Sequence, residues 1–261
     1  MAMFQVSIGT RFPEISHKRM EAPTQSVYFN HIHNHCEILL FVTGKAEYNI
    51  DGQIFRPAPF DLLFIPAATY HSLIPTAPEP YENYVIGLDP ALVEKSHYER
   101  LFLPPRMLRI QEDSELRSLF TRLDYCHHHY RPEDFCRCAE ALIQELVIGC
   151  SYRAEGLAGS PMTHIEEIVR YITEHLEEPL DAEKIARHFM LSKSYVQNLF
   201  SRDMHIGLKK YIMQKKIYAA HSALSEGESP NRVCERYGFG DYSSFYRLYK
   251  KTFAASPGSR K

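Results

Sequence analysis

No apolar run in these 261 residues approaches the ~18–20 residues that a membrane-spanning helix needs. The first twenty, "MAMFQVSIGTRFPEISHKRM", lack the apolar core of a secretory leader. The chain is therefore read as cytosolic. Six cysteines fall without regular spacing, which argues for reduced thiols rather than a disulfide framework. No Gly-x-Ser-x-Gly elbow, phosphate-binding glycine loop or dinucleotide fingerprint occurs, so motif-borne hydrolase, nucleotide and dehydrogenase chemistry has no support. Tryptophan is absent altogether. What remains, 44% hydrophobic and 24% charged, is the composition of a globular protein long enough for one large core or two modest ones.

The charge is unevenly spread. Residues 1–161 carry 14 basic and 20 acidic groups, and 162–261 carry 16 and 12, so an acidic part precedes a basic one. The stretch "YRAEGLAGSPMTH" gathers Gly156, Gly159, Ser160 and Pro161 between two helical patterns, as a short linker does. The expected organisation is an α+β two-domain chain: a barrel over 1–110, a helical segment over 111–153, a linker at 154–162 and a helical domain over 163–261.

From Val27 to Leu88 the sequence is rich in β-branched and aromatic residues, and near-alternation flanks an Asp51-Gly52 pair, a strong hairpin signal. Further short strands follow in "DLLFIPAATYHSLIP" and "YENYVIGLDP", a spacing that implies a sandwich or barrel. The period then changes. Leu116, Leu119, Phe120 and Leu123, and then Phe135, Cys138, Leu142, Leu146 and Cys150, recur at three- and four-residue steps, predicting two amphipathic helices joined near Arg131-Pro132. Their apolar faces can cover the barrel or form a dimer seam. "CHHH" at 126–129 with Cys136 and Cys138 is metal-like in composition, but neighbours one or two residues apart on a helix do not face each other.

After the linker every pattern is helical. Thr163 and Glu166 form a capping-box pair, Asp181 caps "AEKIARHF", and Met190-Leu191-Ser192 is a tight turn into "KSYVQNLFSRD". A long connector, "GLKKYIMQKKIYAAHSALS", leads to a second pair about 49 residues on, where Asp241, Phe245, Leu248 and Tyr249 answer to Ser192, Val196, Leu199 and Phe200. These residues, with Gly238-Phe239 and a closing Pro257, resemble the AraC/XylS family of transcription regulators over about the last 100 residues. The resemblance implies two helix-turn-helices that bind double-stranded DNA from one chain, a bacterial homodimer and contact with RNA polymerase.

The first recognition helix presents Ser194, Tyr195, Gln197 and Asn198 away from the apolar Val196 and Phe200; Gln and Asn suit adenine edges. The second presents Tyr242, Ser243, Tyr246 and Arg247, and Arg247 suits guanine. By resemblance, Ser194, Gln197, Asn198, Tyr242, Ser243, Tyr246 and Arg247 match base-facing positions. Lys193, Arg202, Lys209, Lys250 and Lys251 read as phosphate contacts, although any one of them can equally be a solvated helix face. Where the family has glycine after each recognition helix this chain has His205 and Ala254. If those positions are left-handed, each costs on the order of 1 kcal/mol, and the helix ends are expected to differ. The tail "SPGSRK" also lacks the family's aromatic residue.

Residues 20–90 resemble the cupin-type sensor domain. His31, His33, Glu37 and Gly44 fit H-x-H-x3-E-x6-G, and "PFDLLFIPAATYH", ending at His71, resembles the second cupin motif with Phe60 and Ala68 where glycines are expected. In metal-binding cupins the residues matching His31, His33, Glu37 and His71 are ligands, and this donor set suits Zn, Mn, Fe or Ni. On a straight strand at ~3.3 Å per residue, positions 31 and 37 would lie about 20 Å apart, so a shared ion requires a bend at Asn34-His35-Cys36. The alternatives are a metal-free pocket or a structural barrel mouth. The expected function is a regulator whose small-molecule effector, a sugar among the candidates, binds near His33, Glu37, Tyr48, Phe64 and His71. A metal-dependent isomerase or dioxygenase with an appended DNA-binding domain, or a sensor of the metal itself, is the rival reading.

Overall fold

The computed structural model describes residues 2–7, 14–21, 31–156 and 162–258. The chain falls into two compact units, residues 1–50 with 54–160 and residues 161–261 with 51–53. The expected linker lies mostly outside the described residues.

The first unit is built on two antiparallel sheets. The larger has the order β1 (Ala2–Ser7), β2 (Glu14–Met20), β8 (Tyr81–Leu88), β3 (Cys36–Thr43), β6 (Asp61–Ile65) and β9 (Arg106–Arg109); the smaller runs β5 (Gln53–Phe55), β4 (Ala46–Ile50), β7 (His71–Pro75). Period-two alternation sends each strand's side chains to two destinations. Leu39 and Phe41 of β3, Leu63 and Ile65 of β6 and Tyr81 of β8 meet Tyr48, Ile50, Phe55 and Leu73 of the smaller sheet in one apolar cluster. Their neighbours Ile38, Leu40, Leu62, Phe64, Ile86 and Leu88 point the other way into a second. Asp51 and Gly52, with φ of 46° and 91°, make the β4–β5 turn that this dipeptide predicts.

Helices cover that second face. α1 (Lys95–Phe102), α2 (Ser114–His129) and α3 (Pro132–Arg153) contribute Leu101, Phe102, Leu116, Leu119, Phe120, Leu123, Phe135, Leu142, Leu146 and Cys150 to it. Of the two destinations open to the apolar stripes of α2 and α3, covering the sheet is the one they take. Ile148 and Tyr152, on α3, stay exposed. α1, β1 and β2 have no counterpart among the sequence expectations.

The second unit is helical: α4 (His164–Glu174), α5 (Ala182–His188), α6 (Lys193–Asp203), α7 (Leu208–Ser225), α8 (Pro230–Arg236) and α9 (Tyr242–Phe253). Its boundaries follow from its caps. Thr163 and Glu166 bond reciprocally across the first turn of α4, Asp181 accepts from the Lys184 N–H at 2.7 Å, Ser192 from Tyr195 at 3.1 Å, and Asp241 from Ser244 at 2.8 Å. Proline at the first position of α8 has no N–H to leave unpaired. Val196, Leu199 and Phe200 anchor α6, while Phe245 and Tyr249 anchor α9 against Ile217, Ala220 and Val233. The buried Lys216 ammonium on α7 donates to the Glu178 carbonyl at 3.0 Å and the Tyr237 carbonyl at 2.9 Å, tying the approach to α5 to the end of α8.

Candidate functional site

The histidine-rich stretch does not run straight. His31 pairs with His71 of the smaller sheet through two backbone hydrogen bonds of 3.0 Å, the chain bends at Asn34-His35, and β3 of the larger sheet begins at Cys36. The Ala68 N–H donates to the His33 carbonyl at 2.8 Å. Crossing from one sheet to the other folds Glu37 back beneath the histidines. His33 Nε2 lies 3.1 Å and His71 Nε2 3.4 Å from the Glu37 carboxylate, one on each oxygen.

The other nitrogen of each ring is bonded to a carbonyl. His33 Nδ1 donates to the His35 carbonyl at 2.9 Å and His71 Nδ1 to the Thr69 carbonyl at 3.0 Å, so each Nε2 is the nitrogen turned toward Glu37. Both Nε2 atoms are buried and, despite their distance from Glu37, neither is aligned to hydrogen-bond. A backbone carbonyl accepting from Nδ1 is the arrangement metal-ligating histidines use. The donor atoms of His31, His33 and His71 lie within 4.8 Å of one another, as do those of His33, His35 and Glu37. Burial alone would raise the Glu37 carboxyl, but His33, His35 and His71 outweigh it and hold the group well below the usual carboxylate range.

His35 is the member that the cupin spacing omits. Its ring stacks on His33 at 3.7 Å and 2°, with Nε2 3.6 Å from Glu37. Of the expected effector residues, His33, Glu37 and His71 come together. Tyr48 lies in the cluster between the sheets with its hydroxyl bonded to that of Tyr81. Phe64 is on the opposite face of β6, against Phe102 at 5.4 Å, because alternation places Leu63 and Ile65 inward. In the 126–129 cluster, His128 and His129 donate Nδ1 to the carbonyls of Asp124 and Tyr125 on their own helix.

In the second unit, Lys193, Ser194, Tyr195, Gln197 and Asn198 are exposed on α6, and Tyr242, Ser243, Arg247, Lys250 and Lys251 on α9; Tyr246 is half-buried and Lys209 is exposed on α7. Arg202 is bound to its neighbour Asp203 at 2.5 and 2.9 Å. The Arg247 Nε donates back to the Ser243 carbonyl at a long 3.3 Å. His205 and Ala254, with φ of 51° and 53°, are left-handed without glycine.

Residues 14–156 match the family model of the AraC-like ligand binding domain, and residues 185–260 match a helix-turn-helix domain model. The chain is 20% identical over 239 residues to the uncharacterized HTH-type transcriptional regulator YdiP of Escherichia coli, covering 87% of this chain and 79% of that one. It is 31% identical over 94 residues to the multiple antibiotic resistance protein MarA of Escherichia coli, 36% of this chain and 74% of MarA. Among solved structures, ToxT from Vibrio cholerae aligns over 95% of this chain and 97% of its own at 11% identity and a TM-score of 0.41. With a ligand-binding model over more than half its length and a helix-turn-helix model after it, the chain belongs to the AraC family of transcription regulators.

Proposed function

We propose that this regulator reads two successive major grooves with α6 and α9, and that the histidine-glutamate cluster is its input site. The observation that carries the input reading is the convergence of the buried His33 and His71 Nε2 atoms on Glu37, with both Nδ1 atoms already bonded. His31, His33, Glu37 and His71 would hold a divalent ion such as Zn, Mn, Fe or Ni, with His35 as a stacked wall. When bound, the ion supplies a fixed positive charge toward an oxygen-bearing ligand. A small, hydroxyl-rich molecule, sugars included, is the effector class that suits it. α7, with 18 residues, is about 27 Å long at 1.5 Å per residue, a connector on the scale of the ~34 Å major-groove repeat. A homodimer paired through the helical segment over 111–153, and contact with RNA polymerase at the promoter, complete the reading.

Elemental analysis of purified protein, followed by DNA binding with and without chelator, tests it. One bound divalent ion per chain, lost in His33→Ala, is expected. If chelation alone changes DNA binding, the metal is itself the signal; protein that retains no metal and responds to none removes the ion from the proposal. Turnover abolished by His33→Ala would instead mark a metal-dependent isomerase or dioxygenase.

A further inference from the structure

On the helix-covered side of the first unit lies an open cavity of about 450 Å³ that none of the functional residues above lines. Glu140, Ile143, Gln144, Val147 and Ile148 form one wall, at positions i, i+3, i+4, i+7 and i+8, so that a single stripe of α3 faces inward. The other wall is the end of β8 and the turn after it: Leu88, Leu92, Val93 and Glu94. Leu88, Val93, Ile143 and Val147 are buried and form the floor, while Leu92 and Ile148, 50% and 46% exposed, form apolar lips. His97 closes one end, its Nδ1 sharing a 2.9 Å hydrogen bond with Ser151.

Two carboxylates stand at the rim of this apolar floor. Glu94 and Glu140 line the cavity, and among the described residues no lysine or arginine does. Glu94 is ionised: the Ser96 hydroxyl and the Ser96 and His97 N–H groups hold its carboxyl below the usual range. All three bonds fall on Oε2, so Oε1 takes no part in them.

We propose that this cavity binds an organic cation with an apolar body, an amine or quaternary ammonium, as a ligand site separate from the histidine cluster. The volume is in the range of small-molecule sites, which join an apolar lining to a few placed polar groups. Aliphatic side chains take the body, and Glu94 and Glu140 take the charge. An anionic ligand of the same shape would meet two like charges. Separation follows from strand alternation: Leu88 pairs with Cys36, both face the helices, and Glu37, one residue on, faces the other side. An occupant touching α3 on one wall and the turn before α1 on the other favours the docked position of α3.

The test uses the full chain with three probes of matched length: hexyltrimethylammonium, hexanol and hexanoate. Binding is read by calorimetry and by the unfolding midpoint, which a ligand of the folded form raises. The cation is expected to raise the midpoint and bind at least tenfold more tightly than hexanol, with hexanoate inert. Glu140→Gln should weaken the cation about fivefold, the scale of an exposed charge pair. Gln144→Trp, an exposed position that fills the groove without entering the core, should abolish binding, and His33→Ala should leave it unchanged. Equal binding of cation and alcohol, no cation binding, or cation binding that survives Gln144→Trp overturns the assignment.

Discussion

Met190 and Gly238 occupy the same place in the two helix-turn-helix units, and both are left-handed, with φ of 55° and 66°. In each unit the next residue closes a Schellman motif: the Leu191 N–H donates to the Ala186 carbonyl at 2.8 Å, and the Phe239 N–H to Cys234 at 3.1 Å. The same turn is therefore built once with glycine and once against the preference of an L residue. Met190 is 93% exposed, so its side chain contributes no packing that substitution would remove. Met190→Gly is expected to stabilise the protein by roughly 1 kcal/mol, read from the denaturant midpoint at unchanged m-value, whereas Met190→Val should destabilise it.

Four further departures from family glycines tell the same story. Phe60, Ala68, His205 and Ala254 have φ of 67°, 54°, 51° and 53°, so the backbone keeps the conformation after the glycine is gone. The resemblance located these strained positions; composition alone would not. The helix-turn-helix caps and the Asp51-Gly52 turn were legible because each rests on local chemistry within four residues. α1 was not, because its N-cap is Glu94, outside the usual Ser, Thr, Asp and Asn set. β2 was hidden by its polar residues: Ser16 and His17 are buried there, and no apolar alternation reveals the strand. The histidine cluster was legible in its members and in the bend at Asn34-His35 that a shared site requires, but not in the place of His35 beside His33, nor in that of Phe64, which alternation along β6 puts on the far face.

Gly87 makes room for His35. A Cβ at this position would lie 3.0 Å from His35 Cδ2 and 3.2 Å from Nε2, so Gly87→Ala must displace the ring. If His35 is a wall and His31 a ligand, His35→Ala and Gly87→Ala should both leave most of the bound metal, while His31→Ala weakens metal affinity by tenfold or more. Metal titration of the three variants against a competing chelator decides between the two histidines, and the reverse order exchanges their roles.

A second buried histidine sets a pH dependence of stability. His17 Nε2 lies 2.9 Å from Glu82 on β8 and Nδ1 3.3 Å from Asp124 on α2. Its ring stacks on Tyr84 at 3.8 Å, and the Tyr84 hydroxyl donates to Asp124. Both nitrogens face carboxylates, so the imidazolium is the form the site accommodates. Burial opposes the charge, but the bonds to Asp124 and Glu82 outweigh it and raise the pKa. Arg19, 3.3 Å from Glu82, shares that carboxylate. A raised folded-state pKa gives stability that is complete below the unfolded value of about 6.5 and lost as pH rises through the folded value. The midpoint difference between the native chain and His17→Gln should therefore be largest near pH 6 and shrink toward pH 9. A difference that grows with pH would contradict the assignment of charge to His17.

The DNA-facing residues should separate into two kinds. Arg247 is exposed on α9, and its long bonds to Ser243 and Ser244 of 3.3 and 3.4 Å are readily exchanged for a base edge. On a duplex enriched from a random pool by the protein itself, Arg247→Ala should cost about 1–3 kcal/mol and relax preference at one position. Lys251→Ala should instead weaken all duplexes alike and reduce the slope of log affinity against log salt by about one. Arg202 was grouped with Lys251 on sequence grounds, but Asp203 holds its guanidinium at 2.5 and 2.9 Å. A partly neutralised cation releases fewer counterions, so Arg202→Ala should change the salt slope less than Lys251→Ala. Equal slopes for the two would mean that Arg202 leaves Asp203 for phosphate on binding.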